Sequence, residues 1–310
     1  MFAGASQFAI ASGERRSRKK FMSLVGGGMM WAGIAALGAG LVLVRARYQA
    51  ETGAGKFIVL GPVFEAVALA MFASEHFLAT SALMRIVPRW LPGPVFWTYF
   101  FGAALAAAAV SFILWLGVRW SAPLLALFFV IIVVTIDFPG MIRHGHERLF
   151  WTLTAREWAF GCGALVLAGS EWRSRRKGAG VALMRAGRAF LAPIFVFYAI
   201  EHFLFPRNVP GVPLEKLTPS WMPAPVLISY MVGFTLLIAG PALLFPRTTR
   251  IAAAGLGAVL VALTVFFYIP ILLTEIHTQM AVEGLNYVGD TLLFASTAML
   301  AGFGAKPNEK

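Results

Sequence analysis

Two glutamate–histidine pairs stand inside otherwise apolar stretches, Glu75-His76 and Glu201-His202, and each continues as Phe-Leu. A histidine whose proton affinity is set by a nearby carboxylate can accept a proton from a quinol or another mobile reductant. On this reading His76 and His202 are the acceptors, and Glu75, Glu157, Glu201 and Asp290 orient them or relay protons. Two other readings stay open: groups at a helix end reaching headgroups and water, or pairs bonded to a neighbouring helix. Glu65 lies eleven residues before His76. Eleven steps of 100° return to nearly the same helix face, about 16 Å away, which makes Glu65 a candidate proton path toward mid-membrane. The position matching Glu65 in the second copy, 126 residues on, is Leu191, so such a column exists in one half only.

Metal chemistry is not expected. His144-x-His146 and Glu275-x-His277 are suitable ligand types. However, adjacent helical residues point about 100° apart, and no apolar run holds His-x3-His or Glu-x2-His.

The elements that must position these residues are repeated. Pro88-Arg-Trp90-Leu-Pro92-Gly-Pro94 returns as Pro219-Ser-Trp221-Met-Pro223-Ala-Pro225, followed by Tyr99 and Gly102 in one copy and Tyr230 and Gly233 in the other. From Pro88/Pro219 to Pro139/Pro270 the offset holds at 131. Aligning Gly169 with Gly302 pairs Glu157 with Asp290, and the bend at Pro139 and Pro270 pairs Asp137 with Tyr268. Self-similarity at a fixed period means two copies of one supersecondary unit. Tyr99 and Tyr230 become candidate pocket walls, and Trp90 and Trp221 candidate interfacial or cofactor-facing aromatics.

Composition sets the solvent. Hydrophobic residues make up 59% of the 310 and charged residues 13%, far from a soluble domain. Apolar runs at 21–44, 57–79, 95–117, 121–141, 151–169, 190–205, 224–244, 251–273 and 285–303 have about the length that crosses a bilayer. Because they are continuous rather than alternating, they predict helices. The run at 190–205 is short unless it extends back through Val181. The net charge of +12 sits mostly in short loops, the pattern of cytoplasmic loops and not of nucleic-acid binding. That rule places the five histidines at the extracytoplasmic ends. The basic residues around 21–44 break it, so this segment is read as an accessory helix. A single cysteine, Cys162, excludes an internal disulfide.

The expected fold is therefore all-α, a polytopic transmembrane bundle. It comprises a basic tail (1–20), an accessory helix and linker (21–56), two four-helix repeats (57–178 and 179–305) and a cytoplasmic tail (306–310). The helix ending in His-Phe, the Pro-x-Trp-[Leu/Met]-Pro segment and the aromatic–Gly helix resemble DoxX-like membrane proteins, over about residues 57–303. The resemblance implies a compact four-helix unit. It also implies a bacterial inner-membrane location and, by analogy with membrane subunits of a thiosulfate:quinone oxidoreductase, a quinone-linked redox role with a membrane or redox partner subunit. The alternatives are a small-solute or proton-coupled transporter and a non-catalytic membrane scaffold.

Overall fold

The computed structural model describes the backbone of residues 12–211 and 215–305, and side chains from residue 21 onward. The far ends of the two tails, 1–11 and 306–310, lie outside the described residues. Regular structure among the described residues is helical, apart from one isolated bridge between Asn208 and Leu217. The long helices are α1 (Ser12–Ala50), α2 (Gly61–Leu78), α3 (Pro94–Leu114), α4 (Val118–Ile132), α5 (Arg148–Trp172), α6 (Lys177–Leu204), α7 (Pro225–Ala242), α8 (Thr249–Leu263) and α9 (Ala281–Leu300). The short run at 190–205 is thus the end of a 28-residue helix that begins at Lys177.

Seven segments are long and apolar enough to cross a membrane: Phe21–Ala50, Ala54–Leu78, Pro94–Leu114, Val118–Arg143, Lys177–Leu204, Pro225–Ala242 and Thr249–Glu275. The chain has the architecture of a multi-pass membrane protein. The two long helices missing from that set are α5 and α9, which carry Arg156, Glu157 and Asp290. Position compensates for their polarity: 17 of the 20 residues of α9 are buried, packed against α2, α5 and α8. Polar side chains are tolerated at such depth when they face protein instead of lipid. α1 lies outside, along α2 and α9.

Several local features recur 131 residues apart. α3 and α7 both begin with a proline, Pro94 and Pro225, after a left-handed residue, Gly93 (φ 72°) and Ala224 (φ 44°). Proline suits the first helical position because its missing N–H would have no partner there. α4 and α8 both run into a π-helical turn, Val133–Asp137 and Thr264–Tyr268. Pro139 and Pro270 follow these turns, and a proline that cannot donate to the preceding turn is a recognised cause of such a bulge. α2 meets α3 and α6 meets α7 in the same way. A Cβ at Gly102 would lie 2.8 Å from His76 Cβ, and one at Gly233 would lie 3.0 Å from His202 Cβ. Phe77 stacks on Tyr99 with centroids 6.0 Å apart, and Phe203 meets Tyr230 at 6.1 Å. The repeated His-Phe and Tyr-x2-Gly motifs are two sides of one helix–helix contact.

α5 and α6 cross closely. A Cβ on either Gly169 or Gly180 would fall 2.6 Å from the other's carbonyl oxygen. Only glycine permits backbones that near.

The two halves differ in one connection. From His76 to Pro88 is twelve residues, whereas from His202 to Pro219 is seventeen. The longer connection turns inward, and Asn208, Val209, Pro210 and Gly211 are all buried.

Candidate functional site

A cavity of about 920 Å³ opens among the ends of α2, α3, α4, α5 and α9. Its wall is aromatic, built from Phe72, Trp97, Phe101, Phe128, Phe160 and Tyr287 among others, with Trp90 at the 83–91 segment. Ionisable groups collect in it. Seven of the chain's 14 acidic residues line it: Glu75, Asp137, Glu157, Glu215, Glu275, Glu283 and Asp290. Arg156 and Lys216 are the basic residues that accompany them. In a protein of net charge +12, this concentration of acid is local and large.

Arg156 organises the floor. Eight residues into α5, about 12 Å along the helix, its guanidinium bonds Asp290 of α9 and, at 2.8 Å, Glu157. A buried charge carries a large desolvation penalty, which contact between a cation and carboxylates offsets in part. Asp137 approaches from the other side, at the last position of the first π turn. It is 9% exposed, forms no hydrogen bond or ion pair among the described residues, and its Oδ2 is wholly buried. Glu75, also buried, accepts a 3.2 Å bond from Asn286 Nδ2 and forms no ion pair among them. At the mouth, Lys216 reaches Glu275 at 2.7 Å and Glu283 at 3.7 Å.

The two histidines diverge. His76 Nδ1 donates to the Phe72 carbonyl at 2.8 Å, which leaves Nε2 as an acceptor on a ring that lines the cavity. His202 makes the matching bond to Tyr198 at 2.6 Å, but its Nε2 accepts the Gly211 N–H at 2.8 Å and the residue is fully buried. Tyr268, the counterpart of Asp137, donates its hydroxyl to the Pro210 carbonyl at 2.6 Å. The Pro210 C=O and Gly211 N–H belong to a single peptide group, which stands between His202 and the second π turn. Gly211 has φ 101°, a left-handed conformation that favours glycine.

Of the residues singled out in the sequence, Glu75, His76, Trp90, Glu157 and Asp290 converge on this cavity. Glu201 lies elsewhere, paired with Arg148 at 2.9 Å. Tyr99 and Tyr230 pack on Phe77 and Phe203, outside the cavity lining, and Trp221 is exposed. Glu65 is fully buried between α2 and α9, where it meets the Ser296 hydroxyl; Ser296 also faces the Gly61 carbonyl at 2.9 Å. His144 pairs with Glu147 at 2.9 Å, and His277 is exposed. Among the described residues no group of three or more His, Cys, Asp or Glu is placed to hold a metal ion.

Sequence reading passed over Arg156 and Asn286, and took Asp137 only as part of a bend. A signal for Arg156 was present: an arginine in the middle of the 151–169 run is costly unless an acid from another helix meets it. No family model, curated protein or solved structure matches the chain.

Proposed function

We propose that the chain consists of two tandem four-helix units resembling DoxX-like proteins, and that the first unit keeps an open small-molecule site while the second has closed its own. The open site serves a proton-coupled transporter of small, largely apolar solutes. The observation that carries this reading is the Asp137, Arg156, Glu157 and Asp290 cluster at the floor of an aromatic cavity. An ionisable group at membrane depth is by default a candidate for a solute or proton route. A cavity of this volume is within the range of ligand sites. The positive-inside rule would open it to the extracytoplasmic face.

The test is to purify the protein gently, extract it and identify any retained small molecule by mass spectrometry, then reconstitute the protein in proteoliposomes. Uptake of that molecule should follow a pH gradient and vanish in Arg156→Gln. Protein that retains nothing and supports no gradient-driven uptake overturns the reading.

A quinone-linked redox role is favoured by one feature, the His76 Nε2 acceptor facing an aromatic wall, which suits a quinol hydroxyl. It requires quinone in the same extract and loss of that quinone in His76→Leu.

A further inference from the structure

The second half displays the polar contact that the first half leaves unmade. There, one peptide group sits between His202 and Tyr268, with its N–H given to the histidine and its carbonyl accepting from the tyrosine. In the first half the corresponding partners are His76 Nε2 and Asp137. The imidazole nitrogen accepts because Nδ1 carries the proton given to Phe72. A carboxylate also accepts. A peptide group satisfies one acceptor and one donor. Two acceptors require an occupant that donates twice.

Charge points the same way. Asp137 is more than nine-tenths buried, has no hydrogen bond or ion pair among the described residues and lines the cavity. Arg156 is already committed to Asp290 and Glu157. Glu75 adds a second carboxylate without an ion pair. Around them stand Phe72, Trp97, Phe101 and Phe128, aromatic rings of the kind that attract a cation.

We propose that the open cavity takes a protonated amine on an apolar body, with ammonium N–H groups donated to His76 Nε2 and the Asp137 carboxylate and the body held by the aromatic wall. This rests on the reading of two tandem units, one open and one closed. An ammonium meets both acceptors and supplies the missing positive charge; an alcohol donates once and supplies none. A proton and the amine compete for the same carboxylate oxygens, so amine binding weakens as pH falls. The charged groups that act on Asp137 are Glu157 and Arg156 from α5; Tyr287 and Asp290 from α9 and Glu75 and His76 from α2 line the same cavity.

The experiment compares three ligands with the same cage, 1-adamantylammonium, 1-adamantanol and 1-adamantanecarboxylate. Binding to the full chain in nanodiscs is measured by titration calorimetry, with empty nanodiscs subtracted. The ammonium should bind about tenfold or more tightly than the other two, the scale of one charge-assisted hydrogen bond. Its affinity should fall from pH 8 to pH 5 while that of the alcohol stays level. Asp137→Asn should erase the preference, and Glu147→Gln, outside the cavity, should keep it. If Asp137→Asn does not fold, the ligand series and the pH series on the native chain still decide. Equal or tighter binding of the alcohol or the carboxylate, or no binding of the ammonium, overturns the amine. A retained molecule and gradient-driven uptake would then leave the ligand-site reading standing, whereas their absence would remove both.

Discussion

Gly211 gives its backbone N–H to Nε2 of His202 at 2.8 Å, so the second copy of the repeated histidine is held by its own chain. His76, at the same place in the first copy, has its Nε2 toward a cavity. The same residue type, with the same helical bond four residues back, is therefore enclosed by backbone in one place and lines a cavity in the other. The difference originates in the five extra residues between His202 and Pro219.

His202→Ala should lower the thermal unfolding midpoint in detergent more than His76→Ala does. It leaves the buried Gly211 N–H without a partner, at a cost of about 1–3 kcal/mol. His76→Ala loses only a bond to a carbonyl that the helix already uses. Equal losses would argue against the inward-turned segment as a fixed part of the fold.

Arg156→Met leaves Glu157 and Asp290 facing each other without a cation, and should destabilise the protein by about 3–5 kcal/mol. Adding Asp290→Asn should recover part of that loss. A double-mutant cycle measures the coupling; strict additivity would mean that the guanidinium and the aspartate do not interact.

Gly102→Ala and Gly233→Ala should each cost about 1–3 kcal/mol, because the added carbon meets a histidine Cβ at 2.8 and 3.0 Å. Gly27→Ala in α1 meets nothing within 4 Å and should stabilise by up to about 1 kcal/mol through helix propensity. Unfolding midpoints of the three variants, measured together, check the contrast.

Glu65→Leu installs the residue found at the matching position, Leu191. Ser296 keeps the Gly61 carbonyl as a partner, so stability should hold or rise. Gradient-driven uptake measured on the same sample decides the role of the group: unaltered uptake makes Glu65 a helix-packing residue, and lost uptake with intact stability makes it part of a proton route.

The helices were largely legible because a bilayer imposes length and apolarity on whatever crosses it. The starts at Pro94 and Pro225 and the bends at Pro139 and Pro270 were legible too, since proline acts on its own helix. Where side chains from different helices meet was much less so. Glu157 and Asp290 were paired by register, but the Arg156 that joins them was not read, because a bridging guanidinium is visible only across helices. Tyr99 and Tyr230 looked like pocket walls on a one-dimensional reading; in space their rings pack on Phe77 and Phe203. The burial of residues 208–211 shows in the sequence only as a change of offset from 126 to 131, and loop length alone does not say whether a segment turns outward or in.

The crossing of Gly169 and Gly180 joins the last helix of the first half to the first helix of the second at a distance that admits no side chain. Sliding along that crossing would drive a neighbouring side chain into backbone, and a second close approach, of Gly187 to Cys162 and Val166, lies two turns further along. Any movement of α5 against α6 must therefore either keep this contact or break it outright, with no intermediate setting that a side chain could cushion.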